Sequence, residues 1–297
     1  MKVVSIPGKR LLKYINAGDS KSIIGFARSL LALGLLLTLV CNPINELIPA
    51  RYLATFNQHT LKFHSNFFMV FGAGHLWVTR FLAIAFLLII ISGYFMQLTC
   101  LVHFWITASL ILIKPAYLGG DNINMLLTLL LIPVCMFDSR KNHWELYIKV
   151  NNNTSFIQNL FLFFIKIQVA WIYFDSVFLK LHIKEWRDGS VLYYWFNHNF
   201  FGLAPPFSNW VSPVLERLPV AVSLAWGSLL FEIVLCIGFL FPGKIRWVLL
   251  KWAIMFHFMI LLIHGFALLF FAMSAALLLY LWPSNKSFTL KWLTDES

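Results

Sequence analysis

The run IIGFARSLLALGLLLTLVC, residues Ile23–Cys41, carries a single charge, Arg28, in nineteen positions. As a helix at 1.5 Å per residue it spans about 28 Å, close to the hydrocarbon thickness of a bilayer. Seven further apolar runs follow, at 80–98, 99–116, 123–138, 156–179, 219–241, 246–263 and 266–282. A weaker ninth candidate, Asn66–Gly74 (NFFMVFGAG), is short and flanked by His64 and His75, and reads as an interfacial segment. The composition agrees: 60% of residues are hydrophobic, 12% are charged, and 30 are Phe. A soluble domain carries roughly 45–50% apolar and 25% charged residues. The chain therefore reads as an all-α integral membrane protein of about eight transmembrane helices. A globular cytosolic enzyme, a secreted disulfide scaffold and a disordered chain are excluded. The expected organisation is a basic segment at 1–22, a transmembrane domain at 23–282 and a tail at 283–297. The first 22 residues are polar and basic with no cleavage site after the first run, so that run is expected to serve as the insertion signal.

The formal net charge of +11 invites a nucleic-acid reading, but its placement in the loops fits a membrane topology better. One set of loops carries Lys2, Lys9, Arg10, Lys13, Lys21, Arg140, Lys141, Lys149, Lys244, Arg246, Lys286 and Lys291. The other carries Arg51, Lys62, Lys114, Lys180, Lys184, Arg187 and Arg217, offset by Asp121, Glu185, Asp188 and Glu216. The first set is expected inside, which places both termini in the cytoplasm and the loops 42–79 and 180–218 outside. The second of these loops holds Trp186, Tyr193, Tyr194, Trp195, Phe196, Phe200, Phe201 and Trp210, aromatics suited to the membrane–water interface. An interfacial helix is expected at about Gly189–His198, ended by Pro205–Pro206.

Charged and polar side chains inside the runs each need a reason, since one at the bilayer centre costs at least about 2.5–3.5 kcal/mol. They are Arg28, Lys166, Asp175, Glu232 and His257, with Lys180 and His264 at outer ends. Lys166, Tyr173 and Lys180 stand seven apart and share a stripe, as do Gln168, Asp175 and His182. Run five thus lines a bundle interior or a wet cavity. Arg28 and Glu232 either neutralise each other or carry function. Lys166 either snorkels or meets a carboxylate, and the histidines read first as packing residues. Asp121, after Gly119–Gly120, suits a helix N-cap as well as a site. Lys180 either snorkels to the outer interface or, partly desolvated, acts as base or nucleophile. Cys41, Cys100, Cys135 and Cys236 show no C-x-x-C or metal-ligand spacing and read as small buried hydrophobes.

Three stretches go further: GFARSLLALGLLLTLVCN (Gly25–Asn42), GGDNINMLLTLLLIPVCMFDSRKNHW (Gly119–Trp144) and IQVAWIYFDSVFLKLHIKEWRDGSVLYYW (Ile167–Trp195). Together they resemble the SdpB family, membrane components of sporulation-delaying-protein-like antimicrobial peptide systems. That family sits in the horizontally transferred transmembrane domain superfamily, which also holds vitamin K-dependent gamma-carboxylase. The resemblance implies residence in the bacterial cytoplasmic membrane. It also implies action with an SdpA-like partner to convert a secreted SdpC-like precursor into active toxin. In the carboxylase branch, a lysine in the matching segment is a base towards reduced vitamin K. Here that lysine is Lys180, followed by Leu181 and Trp186, which makes a quinone conceivable by analogy alone. The Asn-His pair of the carboxylase corresponds to Asp121 and Asn122, so its histidine is missing, and its large lumenal domain is absent too. The site expected from these arguments joins Lys180, without a tight bidentate partner, to Tyr173, Asp121 and Trp186, with Asp188 orienting the loop. Rival readings are a membrane enzyme acting on a quinone or lipid, and a non-catalytic chaperone, exporter or immunity component.

Overall fold

A computed structural model of the chain describes residues 23–53, 65–114, 119–145, 152–199, 202–203 and 205–283. The expected segment at 1–22 and nearly all of the tail at 283–297 lie outside these. The protein is an all-α, multi-span membrane protein. Its helices are α1 (Ile23–Cys41), α2 (Ile44–Leu47), α3 (Ala50–Leu53), α4 (Leu76–Ser92), α5 (Met96–Ile113), α6 (Gly119–Met136), α7 (Asn152–His182), α8 (Lys184–Arg187), α9 (Val191–Phe196), α10 (Phe207–Leu215), α11 (Leu218–Cys236), α12 (Gly243–His264) and α13 (Ala267–Leu281). Among the described residues no strand forms beyond an isolated bridge between Tyr94 and Asn142.

Seven of these helices, α1, α4, α5, α6, α7, α11 and α12, are long and apolar enough to cross a membrane. The eighth expected run becomes α13, which has only fifteen residues. It need not match the bilayer, because it packs against α1, α6, α7 and α12 and is buried from Ala272 to Leu281. Ala272, Ser274, Ala275 and Ala276 let neighbouring backbones come close. Gly120 does the same from the other side: a Cβ there would lie 2.6 Å from the Leu269 backbone nitrogen. Tyr280 fixes the far end by donating to the carbonyls of Leu235 and Cys236, both at 2.8 Å. By contrast, α11 and α12 expose Leu224, Leu230, Val248, Met255 and Leu262, a face that belongs in hydrocarbon.

Two boundaries differ from the sequence expectation. The runs 80–98 and 99–116 are divided at Gly93–Phe95, because Gly93 (φ +91°) and Phe95 (φ +52°) turn the chain there. The apolar run continues through that turn, so composition did not mark it. The segment 66–74 is buried from Asn66 to Met69, whereas Val70, Phe71, Ala73 and Gly74 are exposed. Phe67, Phe68 and Met69 are buried, Asn66 donates to the Ser109 carbonyl at 2.8 Å, and Trp105 donates to the Ser65 carbonyl at 2.7 Å. The helix expected at Gly189–His198 is the shorter α9, ending at Phe196, well before the proline pair.

The bundle has two distinct ends. At one, the start of α1, the α4–α5 turn and the α6–α7 loop meet. At the other, the start of α6 meets the start of α13, and α7 finishes.

Candidate functional site

A cavity of about 500 Å³ opens between α6, α7, α11, α12 and α13. The polar stripes of α7 line it: Tyr173, Ser176 and Lys180 on one side, Gln168 and Asp175 on the other. Two partners from distant sequence complete it, Glu232 on α11 and His257 on α12. The floor is buried, with Tyr173 2%, Glu232 4% and His257 7% exposed. The mouth holds the exposed residues Gly119, Asn122, Trp171 and Asp175.

Lys180 Nζ donates to Glu232 Oε1 at 2.5 Å, and Ser176 donates to Glu232 Oε2 at 3.2 Å. The lysine is also 4.8 Å from the centre of the Trp186 ring, a cation–π contact. Only one carboxylate oxygen is bound by the lysine, so the pair is not bidentate, but it corrects the expectation that no close carboxylate would oppose a lysine base. It also corrects the pairing of Arg28 with Glu232: α1 packs on α4 and α13, while α11 packs on α7. A charged Lys180 is therefore stabilised by an anion on one side and an indole on the other. Tyr173 and His257 share a hydrogen bond of 3.1 Å between the phenol oxygen and Nε2, while the enclosed His257 Nδ1 has no partner among the described residues.

Asp121 does not reach this cavity. It forms a two-oxygen pair with Lys114, at 2.9 and 3.0 Å, which ties the end of α5 to the start of α6. Asp188 lies outside the cavity too. It accepts from the Ser190 hydroxyl at 2.7 Å and the Ser190 amide at 3.0 Å. Those bonds, the hydroxyl's first, hold its carboxyl below the usual range and shape the turn into α9. Asp188 and Trp186 line a second, surface cavity of about 520 Å³ with Lys184, Tyr194 and Trp195. Trp186 thus stands between the two cavities.

No family model matches the chain, and no solved structure matches it. Two curated proteins of Bacillus subtilis (strain 168) are similar. Sporulation-delaying protein SdpB is 33% identical over 219 residues, which cover 72% of this chain and 67% of that protein. The chain belongs to the SdpB family. A protein named uncharacterized protein YitO is 29% identical over 280 residues, 92% of this chain and 89% of its own length.

In this SdpB-family chain, the other intramembrane charges serve the bundle. Arg28, 1% exposed, donates to Thr99 Oγ1 at 3.0 Å and to His143 Nδ1 at 3.1 Å. Lys166 is buried on α7 with Arg246 nearby, away from the cavity. His264 packs against Trp195 and Phe196. Among the described residues no three His, Cys, Asp or Glu side chains gather as a metal site would. Cys100 and Cys135 are buried as small hydrophobes, whereas Cys41 is exposed at the end of α1 and Cys236 is partly covered. Sequence reasoning missed His143, and it missed Ser176 as the second partner of Glu232. Ser228, four residues before Glu232 on the same helix, donates instead to the Ala225 carbonyl. The register of Ser176, four before Lys180, was an available signal.

Proposed function

We propose that this protein is the membrane component that matures a secreted, SdpC-like antimicrobial peptide, working with an SdpA-like partner in the bacterial cytoplasmic membrane. The observation that carries the proposal is the family membership, joined to a cavity one wall of which is the Gln168–Lys180 part of the segment Ile167–Trp195. The resemblance of the segment Ile167–Trp195 is what supports a place for the family in the horizontally transferred transmembrane domain superfamily. Lys180 and Glu232 work in the cavity as a unit. The ammonium, donating to the carboxylate, offers no lone pair with which to act as a base while the pair is closed. The test is deletion of the gene in its host, with mass spectrometry of the secreted peptide. Unprocessed precursor, converted to mature peptide when the wild-type gene is returned, is the expected result. Normal mature peptide in the deletion strain would overturn the reading.

The proposal places both termini in the cytoplasm and the cavity's mouth on the outer side, in line with the basic loop set. Because Cys41 is exposed, labelling belongs in a Cys41→Ser background. A cysteine at Asn199 should then react with an impermeant maleimide on intact cells, and one at Lys141 should react only after permeabilisation. The reverse pattern would invert the topology.

A further inference from the structure

The cavity's floor is electrically balanced and its mouth is not. Lys180 and Glu232 cancel at the floor, whereas Asp175 at the mouth takes part in no ion pair or hydrogen bond with another described residue. A carboxylate on a membrane-spanning helix is costly and calls for a counter-charge. Trp171, one turn earlier on α7 and also exposed, presents an indole beside it. Deeper in, the Gln168 amide lines the cavity, half-buried and without a hydrogen-bond partner among the described residues, a group that a polar ligand atom would satisfy. Between mouth and floor the walls are apolar, from Ile172, Ile260, Leu269 and Met273.

We propose that this cavity binds a peptide segment by its ammonium group, with Asp175 and Trp171 holding the cation at the mouth and the Gln168 amide meeting a backbone polar group inside. The volume of about 500 Å³ falls within the range of compact ligand pockets, roughly 300–1,000 Å³. It has room for two or three small residues but not for a phospholipid with two acyl chains. The inference rests on the reading that the cavity is where this chain handles its peptide. Binding is measured apart from maturation, so either idea can fail while the other stands.

The test uses the full chain in phosphatidylglycerol nanodiscs, titrated with leucyl-leucinamide and with its N-acetylated form by saturation-transfer NMR. The free amine should bind, and acetylation should weaken binding at least about tenfold, since it removes the charge that Asp175 and Trp171 recognise. Asp175→Asn should cause a similar loss and Asp175→Glu should retain binding. Asp175 is exposed, so both variants are expected to fold. Equal binding of the acetylated peptide, or undiminished binding to Asp175→Asn, would overturn the proposal. So would loss of peptide binding when phosphatidylethanolamine replaces phosphatidylglycerol, which would assign the site to a lipid amine.

Discussion

Lys180→Met should abolish toxin maturation and lower the folded yield more than Glu232→Gln does, with the double variant recovering much of the yield but none of the maturation. The Glu232 side chain is 6% exposed and that of Lys180 is 22% exposed. Removing the lysine strands a carboxylate that has Ser176 as its remaining hydrogen-bond donor. Breaking a buried pair by removing one partner costs about 3–5 kcal/mol, whereas replacing both partners is often close to neutral. Removing the glutamate strands a lysine that keeps Trp186 and some access to water, which costs less. The measurements are size-exclusion profiles of the detergent-solubilised variants and mass spectrometry of secreted peptide at matched folded levels. If Lys180→Met matures the peptide normally, the pair has no working role and the cavity loses its place in the proposed function. If the double variant is no better folded than Lys180→Met, the two charges do not act as a pair.

The same residues show where sequence reading succeeds and stops. The spans were legible because the bilayer demands long apolar runs, and Tyr173 and Lys180 were legible as one stripe because both lie on one helix. Their partners were not. Lys180 and Glu232 are 52 positions apart, Tyr173 and His257 are 84 apart, and no local pattern relates them. The guess that Arg28 would meet Glu232 used the right physics, two opposite charges in hydrocarbon, but helix packing decides which charges meet. Asp121 shows the converse case. Its position just inside a helix start was equally consistent with capping and with a site, and the structure gives it Lys114. The turn at Gly93–Phe95 stayed hidden because a tight turn between two membrane helices can be as apolar as the helices themselves.

His143→Ala should destabilise the other end of the bundle without touching the cavity. Arg28 can only donate, so Nδ1 of His143 accepts its bond, leaving Nε2–H to donate to the Ser29 hydroxyl at 3.2 Å. Around it the loop is fixed by Arg140, paired with Asp138 at 2.7 Å and donating to the His143 carbonyl at 3.0 Å. The His143 amide donates to the Gly93 carbonyl at 3.1 Å, which locks the loop onto the α4–α5 turn. Truncating the ring leaves the Arg28 guanidinium short of an acceptor, at a cost of about 1–3 kcal/mol. Burial first, then the charges of Arg28 and Arg140, push the imidazole pKa down to about 2. A folded pKa below the unfolded value means that the contribution is complete above about pH 6.5. It is lost progressively as pH falls from there towards about 2, as the unfolded chain takes up the proton. The thermal midpoint of the wild type should therefore drop as pH is lowered from 7 to 5. In His143→Gln, which keeps an acceptor but does not titrate, the midpoint should start lower and change less. Equal pH slopes in the two proteins would show that His143 is not the group that senses acid, and a His143→Ala midpoint equal to the wild type's would remove its role as an anchor for Arg28.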